Sequence, residues 1–378
     1  MPVARILHKF SDLDLLKVRT RSPRVLLIRL DYIGDMLCAT PLLGAIRKKY
    51  PACYLAVLGT SYNRCVLENN PDIDDFYHYI FSRERARNPR SGWLASMLDR
   101  MRLVRTLRAI KFDYVIIPNG GRYMSSVQFA WQLGAGHVLF NGPDTAFDDW
   151  NPEHIATRPM EHEVIAGFRV AQSLLGDAVP EKFAMQLHVP PTHKGKFHSL
   201  LPADSGLPVI ALNFSARETG RIWGVANWCK LAVHLAGQNR VLILGVPALW
   251  TDPGFQCAAE DSGLASLEQS GKRAAYFPTR DFHELTAALD ECDMLISSDG
   301  GPLHMAAALG KSIVALFEDR PEKYKRWYPW AVPHQIVTPP VGAHQAGSGI
   351  SEIAVEEVIA AYDRLCAAAG GAIEQSFS

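Results

Sequence analysis

Residues 294–317, MLISSDGGPLHMAAALGKSIVALF, hold the pattern that most narrows what this chain can fold into. A buried strand over 294–297 runs into Ser298-Asp299-Gly300-Gly301, a turn with two residues free to take positive φ, and Pro302 fits a first helical position. The helix over 303–309 stops at Gly310, and 312–317 returns as an apolar, β-branched strand. Strand, turn, helix and strand make a parallel βαβ unit. Its turn aims free backbone N–H groups and the positive helix end above the sheet, which favours an anion, most simply a phosphate. Asp299 complicates this, because a carboxylate beside a phosphate is costly unless it caps the helix, binds a metal or accepts from ligand hydroxyls. Taken locally, Asp299 reads equally well as an N-cap and His304 as a polar residue on a half-buried helix.

A second stretch near the other end of the chain has the same design. Residues 25–30 read as a buried strand that leads into Asp31-Tyr32-Ile33-Gly34-Asp35, a helix over 36–50 with Arg47, Lys48 and Lys49 in its last turn, and a strand over 54–59. The loop lacks the GxGxxG fingerprint, which weakens a dehydrogenase reading. Asp35 sits at the carboxyl end of the first strand, where open parallel sheets place functional groups; its plain structural role would be to cap the helix.

With 378 residues, two such units have room for separate cores. The formal net charge is zero, so no global field draws the chain to nucleic acid. The seven cysteines include no CxxC pair and no metal-ligand spacing, which predicts buried reduced thiols in a cytoplasmic protein. No apolar run approaches the ~18 residues of a membrane-spanning helix, and the first residues lack a signal core. Residues 1–23 are a basic amphipathic lead-in, expected to pack on the domain that follows. Residues 24–190 form the first predicted domain, 191–208 a Pro-rich linker, 209–348 the second domain and 349–378 a closing helix and tail.

Charge is local instead. Between 82 and 111 stand Arg83, Arg85, Arg87, Arg90, Arg100, Arg102, Arg105, Arg108 and Lys111 against Glu84 and Asp99, a one-sided density that suits an anionic partner. Arg122 lies in a further loop after the strand over 112–118. Arg217 and Arg221 follow the first strand of the second domain, on the edge expected to face a ligand, and two cations there suit a diphosphate. Residues 245–262, with Trp250 and Asp252, read as a nucleoside-facing loop.

The run RLDYIGDMLCATPLLGAIRKKYP, the Arg221-Ile222-Trp223 loop and SSDGGPLHMAAALGKSIVALF together resemble glycosyltransferase family 9, the lipopolysaccharide heptosyltransferases. The likeness covers most of the chain in the same order. It implies an α/β GT-B fold, two doubly wound Rossmann-like domains facing across a cleft, the first binding acceptor and the second a nucleotide-sugar donor. It also implies inverting, metal-independent transfer of heptose from ADP-heptose to a Kdo or heptose of the lipopolysaccharide inner core. No cofactor is implied. The work would be done in the cytoplasm, at the face of the inner membrane and in peripheral contact with it. By this resemblance Asp35 is the general base, and Asp299, Gly300, Gly301 and His304 bind the donor. Arg221 stands where many members have a phosphate-contacting Lys. Asp252 substitutes for the acidic residue that meets the ribose in some members. The basic segment, with Arg83, Arg85, Arg87 and Arg122, would meet the acceptor's phosphates and carboxylates. The alternatives are a family 9 transferase using another donor such as a UDP-hexosamine, a nucleotide-sugar epimerase on the same fold, and a non-catalytic anion-binding protein.

Overall fold

The computed structural model describes residues 22–81, 86, 88, 90, 92–119, 124–141, 160–195, 198, 201, 206–216, 218–271, 273–340 and 349–375. The chain divides into two compact units, Met1–Gln186 and Leu187–Ser378, so the Pro-rich stretch over 191–208 and the closing helix count with the second. Arg83, Arg85, Arg87, Arg122 and Arg217 lie outside the described residues, as does the lead-in apart from its last two positions.

The first unit is built on a five-stranded parallel sheet of β1 (Arg24–Ile28), β2 (Tyr54–Gly59), β3 (Asp75–His78), β4 (Tyr114–Ile117) and β5 (His137–Phe140), in the order β3-β2-β1-β4-β5. Beyond Arg24 and Tyr54 the central strands are apolar and buried because crossover helices cover both faces of a parallel sheet. Helix α1 (Ile33–Lys49) is buried along most of its length, emerges at Lys48 and Lys49, and continues through Pro41. Pro41 has no N–H to offer the carbonyl of Leu37; the Thr40 hydroxyl donates to that oxygen at 2.7 Å and accepts from Gln186 N at 2.8 Å, so the interruption leaves no buried carbonyl orphaned. Helices α2 (Trp93–Ile110), α3 (Met124–Leu133), α4 (Glu163–Val170) and α5 (Gln172–Leu175) complete the described part of this unit.

The second unit carries six parallel strands, β6 (Val209–Asn213), β7 (Arg240–Gly245), β8 (Ala274–Pro278), β9 (Met294–Ser298), β10 (Ser312–Leu316) and β11 (His334–Val337), in the order β11-β10-β9-β6-β7-β8. Its helices are α6 (Val225–Leu235), α7 (Pro253–Ser262), α8 (Leu264–Ser270), α9 (Phe282–Asp290), α10 (Gly301–Ala308), α11 (Pro321–Trp327) and α12 (Val355–Gln375). Val358, Ala361 and Leu365 of α12 belong to the unit's main core, with Trp223, Trp228 and the inward residues of β6, β7, β9 and β10. Residues 245–262 are not the open loop expected: a 3-10 turn, Pro247–Thr251, leads straight into α7.

Each strand order has one reversal. The first sheet grows outward from β1 through β2 to β3 and then returns to place β4 beside β1; the second grows from β6 to β8 and returns to place β9 beside β6. Loops leaving the two strands at such a reversal run to opposite faces and open a crevice at the carboxyl edge, the usual ligand position in open α/β sheets. Asp31 and Asp35 follow β1, Asn119 follows β4, Arg221 follows β6 and Asp299 follows β9.

All seven cysteines are free; Cys38, Cys53, Cys229 and Cys292 are buried, but Cys257 and Cys366 are exposed, which corrects the expectation of uniformly buried thiols. No described helix is long and apolar enough to cross a membrane.

Candidate active site

In the first unit the site is built on Arg29, the residue after β1, whose side chain is 2% exposed. A guanidinium cannot be buried without partners, and here it has three carboxylates. Its Nη2 lies 2.8 Å from Asp35 Oδ1 and 3.4 Å from Glu163 Oε2, its Nε lies 3.2 Å from Asp31 Oδ2, and its Nη1 donates to the Pro118 carbonyl at 3.2 Å. Asn119 Nδ2 donates to Asp31 Oδ2 at 2.6 Å. One positive charge therefore faces three negative ones. Burial pushes Asp31 up to about 6 from its ordinary 3.8, against the pull of Arg29 and with the push of Asp35.

Asp35 occupies the third position of α1, and its Oδ2 accepts from the Tyr32 N–H at 3.1 Å while Oδ1 takes Arg29. It both reaches back to the N–H of the N-cap residue, Tyr32, and belongs to the charged cluster. With each oxygen fixed and the side chain 14% exposed, it presents a carboxylate of defined orientation at the carboxyl edge of β1.

In the second unit the turn after β9 departs from the capping role. Gly300 is the N-cap of α10 and no side chain caps it. The Asp299 carboxylate turns to Arg221, with Nη2 to Oδ2 at 3.3 Å, while Arg221 Nη1 donates to the Asp299 carbonyl at 3.4 Å and Nε lies 3.2 Å from Glu218 Oε2. Burial holds Asp299 above the usual carboxylate range in spite of Arg221 and Lys323. Arg221 is held in place by its loop: Trp223, 1% exposed, donates from Nε1 to the Ile353 carbonyl at 2.8 Å. The backbone at Gly220 and Gly349 is so close that a Cβ on Gly349 would fall 2.3 Å from the Gly220 carbonyl oxygen. Behind the turn His304 is buried, its ring edge-on to Trp327 at 5.9 Å. Lys323 forms an ion pair with Glu318 and contributes positive potential at Asp299.

Asp299, Gly300, Gly301, His304 and Arg221 thus share one edge. Asp252 has a different setting: its Oδ1 accepts from Phe255 N at 3.0 Å as the N-cap of α7, and the neighbouring Trp250 stacks on Tyr276 at 4.9 Å. Sequence reasoning missed Arg29, Asp31, Asn119 and Glu163. The available signal was a charged residue closing an apolar strand and followed by two aspartates.

Residues 100–346 match the sequence profile of glycosyltransferase family 9 (heptosyltransferase), about two-thirds of the chain. The chain belongs to glycosyltransferase family 9. Among proteins similar to this family 9 enzyme are lipopolysaccharide heptosyltransferase 3 of Escherichia coli, 24% identical over 79% of this chain and 84% of its own length, and lipooligosaccharide heptosyltransferase 2 of Haemophilus ducreyi, 22% identical over 78% and 83%. Among solved structures, a family 9 glycosyltransferase from Veillonella parvula matches at a TM-score of 0.68 with 18% identity, covering 91% of this chain and 97% of that one. The E. coli heptosyltransferase WaaC with ADP-2-deoxy-2-fluoro heptose matches at 0.63 with 17% identity, covering 90% and 99%. The family 9 fold is GT-B, and both parallel sheets described above are its Rossmann-like halves. The enzyme is a glycosyltransferase.

Proposed function

We propose that the protein transfers heptose from ADP-heptose to a Kdo or heptose of the lipopolysaccharide inner core with inversion at the anomeric carbon. The observation that carries this is Asp35, a carboxylate at the β1 and β4 reversal with one oxygen on Arg29 and the other on a backbone N–H. A sugar hydroxyl is a weak nucleophile, and a positioned carboxylate that takes its proton as the new bond forms is the usual remedy. In this reading the acceptor oxygen attacks the anomeric carbon opposite the diphosphate, its proton passes to Asp35, and ADP leaves with the bonding pair of the broken C–O bond. Charge grows on the departing diphosphate, where Arg221 and the N-terminus of α10 stabilise it. The names of the similar proteins support the sugar and the acceptor class.

Asp299 and His304 hold the donor sugar and the diphosphate side of the nucleotide. Asp252, the N-cap of α7, stands in for the acidic residue that meets the ribose. Gly300 and Gly301 let the diphosphate approach the backbone. Arg83, Arg85, Arg87 and Arg122 meet the anionic groups of the acceptor, and Arg217 assists Arg221.

The test is a thermal-shift panel with ADP, UDP and GDP, followed by turnover of ADP-heptose on a core acceptor by wild type and Asp35→Asn. A nucleotide at about 100 times its dissociation constant adds about 2.7 kcal/mol to the native state. ADP selectivity with a turnover loss of about 10²–10⁴-fold in Asp35→Asn supports the reading. A shift by UDP alone would transfer the proposal to another donor, and full turnover in Asp35→Asn would remove the base.

A further inference from the structure

Helix α2 has two outer faces in sequence along its axis. Its inner side is conventional: Ser96 and Leu107 are buried, Leu103, Val104 and Ile110 pack on the first unit's core, and Arg100 donates to the Ile80 carbonyl at 2.8 Å while lying over the rings of Tyr79 and Phe129. Outside, the first half exposes Trp93 at 59%, Leu94 at 59%, Met97 at 42%, Leu98 at 44% and Met101 at 53%. Twelve large apolar residues are exposed among the described residues, and five of them fall within these nine positions. The second half exposes Arg102, Arg105, Arg108 and, just past the end, Lys111. The one carboxylate on the helix, Asp99, is already engaged by Arg90 and Arg102. A groove of about 620 Å³ runs along the helix from Trp93, Met97 and Met101 to Arg105 and Arg108.

An exposed apolar patch of this size is costly in water and marks a contact surface. The charge beside it selects the partner. A nucleic acid would satisfy the arginines but offers no apolar phase to Met97, Leu98 and Met101. An anionic bilayer supplies both within one head-group depth: acyl chains for the apolar turns and phosphates for the guanidinium groups. Tryptophan suits the boundary between those zones, unbranched methionine adapts to it, and arginine matches phosphate geometry. At eighteen residues with four arginines the helix lies along a surface and does not cross it.

We propose that this outer face of α2 docks the enzyme on an anionic lipid bilayer, with Trp93, Leu94, Met97, Leu98 and Met101 entering the acyl boundary and Arg105 and Arg108 meeting lipid phosphates. Its purpose rests on the lipid-linked acceptor proposed above, and the experiment separates the two. The full-length protein is floated with vesicles of phosphatidylcholine alone and of phosphatidylcholine with phosphatidylglycerol, at low and high salt. The wild type is expected to partition onto the anionic vesicles, less so at high salt. Met97→Glu/Met101→Glu and, separately, Arg105→Glu/Arg108→Glu should each lower that partition by about tenfold or more. ADP thermal shifts and transfer to a delipidated acceptor should be unchanged in the Met97→Glu/Met101→Glu protein, which keeps the docking result apart from the chemistry and reports on folding. Equal partition of wild type and variants would overturn the proposal. So would absence of the wild type from anionic vesicles. A dimeric wild type that the methionine substitutions convert to monomer, with no vesicle binding, would assign the face to a second copy of the chain instead.

Discussion

Neutralising Asp31 should stabilise the first unit at neutral pH, although it deletes an ion pair visible in the structure. Asp31 lies 3.2 Å from Arg29, but the cost of ionising a buried carboxyl exceeds that attraction, and Asp35 and Glu163, which share Arg29, add to the cost. It retains its proton up to about 6 in the folded protein, against an ordinary value of 3.8. Between those values the native state binds more protons than the unfolded chain, so stability must fall as pH rises through that window and stay at its lower level above it. The difference between 3.8 and about 6, at about 1.4 kcal/mol per tenfold change, is about 3 kcal/mol. Asp31→Asn has no proton to lose, so it should lack the slope, converge with wild type toward pH 4 and exceed it by up to about 3 kcal/mol at pH 7.5.

Whole-chain melting would blur this, because two units unfold in one trace and Asp299, also raised by burial, contributes a slope of the same sign from the second. Hydrogen exchange of the β1 amides, Val25–Ile28, reads the first unit directly. Wild-type protection of that strand, corrected for intrinsic exchange, should decline from pH 4 to 6.5 and that of Asp31→Asn should not. Faster exchange in Asp31→Asn at pH 7.5 would refute the reasoning, since it would mean that the ion pair with Arg29 outweighs the cost of burying the charge.

Arg29→Met leaves three carboxylates facing one another and should cost about 3–5 kcal/mol, read as a loss of first-unit protection and partly restored at low pH. Glu163→Gln keeps a hydrogen-bond acceptor on Arg29 but removes the charge that competes with Asp35 for Nη2, so the guanidinium shifts toward Asp35; kcat should change several-fold with the KM for donor unchanged, and an unchanged kcat would deny Glu163 a positioning role. Arg221→Ala should weaken ADP by about 1.5–3 kcal/mol, the loss of a charged hydrogen bond, measured by calorimetry. Gly349→Ala forces apart the Gly220 carbonyl and the turn before α12, and should cost about 1–3 kcal/mol while blunting the ADP shift; an intact shift would detach Arg221 from that contact.

The two βαβ units were legible because parallel strands buried on both faces leave continuous apolar runs, and because Pro302 and Gly310 mark a helix, although it begins one residue before the proline, at Gly301, and ends at Ala308. The carboxyl edges that carry Asp35 and Asp299 followed from that, since a carboxylate at a strand end is visible in one dimension. The partner of that carboxylate was not. Glu163 stands 134 residues from Arg29, and only the packing of α4 against α1 brings it to the guanidinium. Arg29 itself was hidden inside a run read as strand, where its charge carried no period. Asp299 shows a different limit: cap and ligand site require the same residue type at the same position. Gly300 taking the cap, and Arg221 being seventy-eight residues away, are facts of the fold. Asp252 stands in a stretch read as loop and is the N-cap of a helix that begins at Pro253.

Both edges use a guanidinium against a carboxylate, but the two pairs are built for different work. Arg29 is 2% exposed and spread over three carboxylates and a carbonyl, so no incoming group can take it without breaking several buried contacts at once. Such a cation is placed to orient its neighbours. Arg221 is 22% exposed, and one of its two carboxylates, Glu218, is itself 60% exposed and held at little energy. A diphosphate, with more charge and better geometry for a guanidinium, can displace Glu218 at small cost while Asp299 and the anchored Trp223 loop keep the side chain aimed. The fixed pair therefore suits a group that must hold its orientation through every turnover, and the exchangeable pair suits one that must bind a leaving group and then release it.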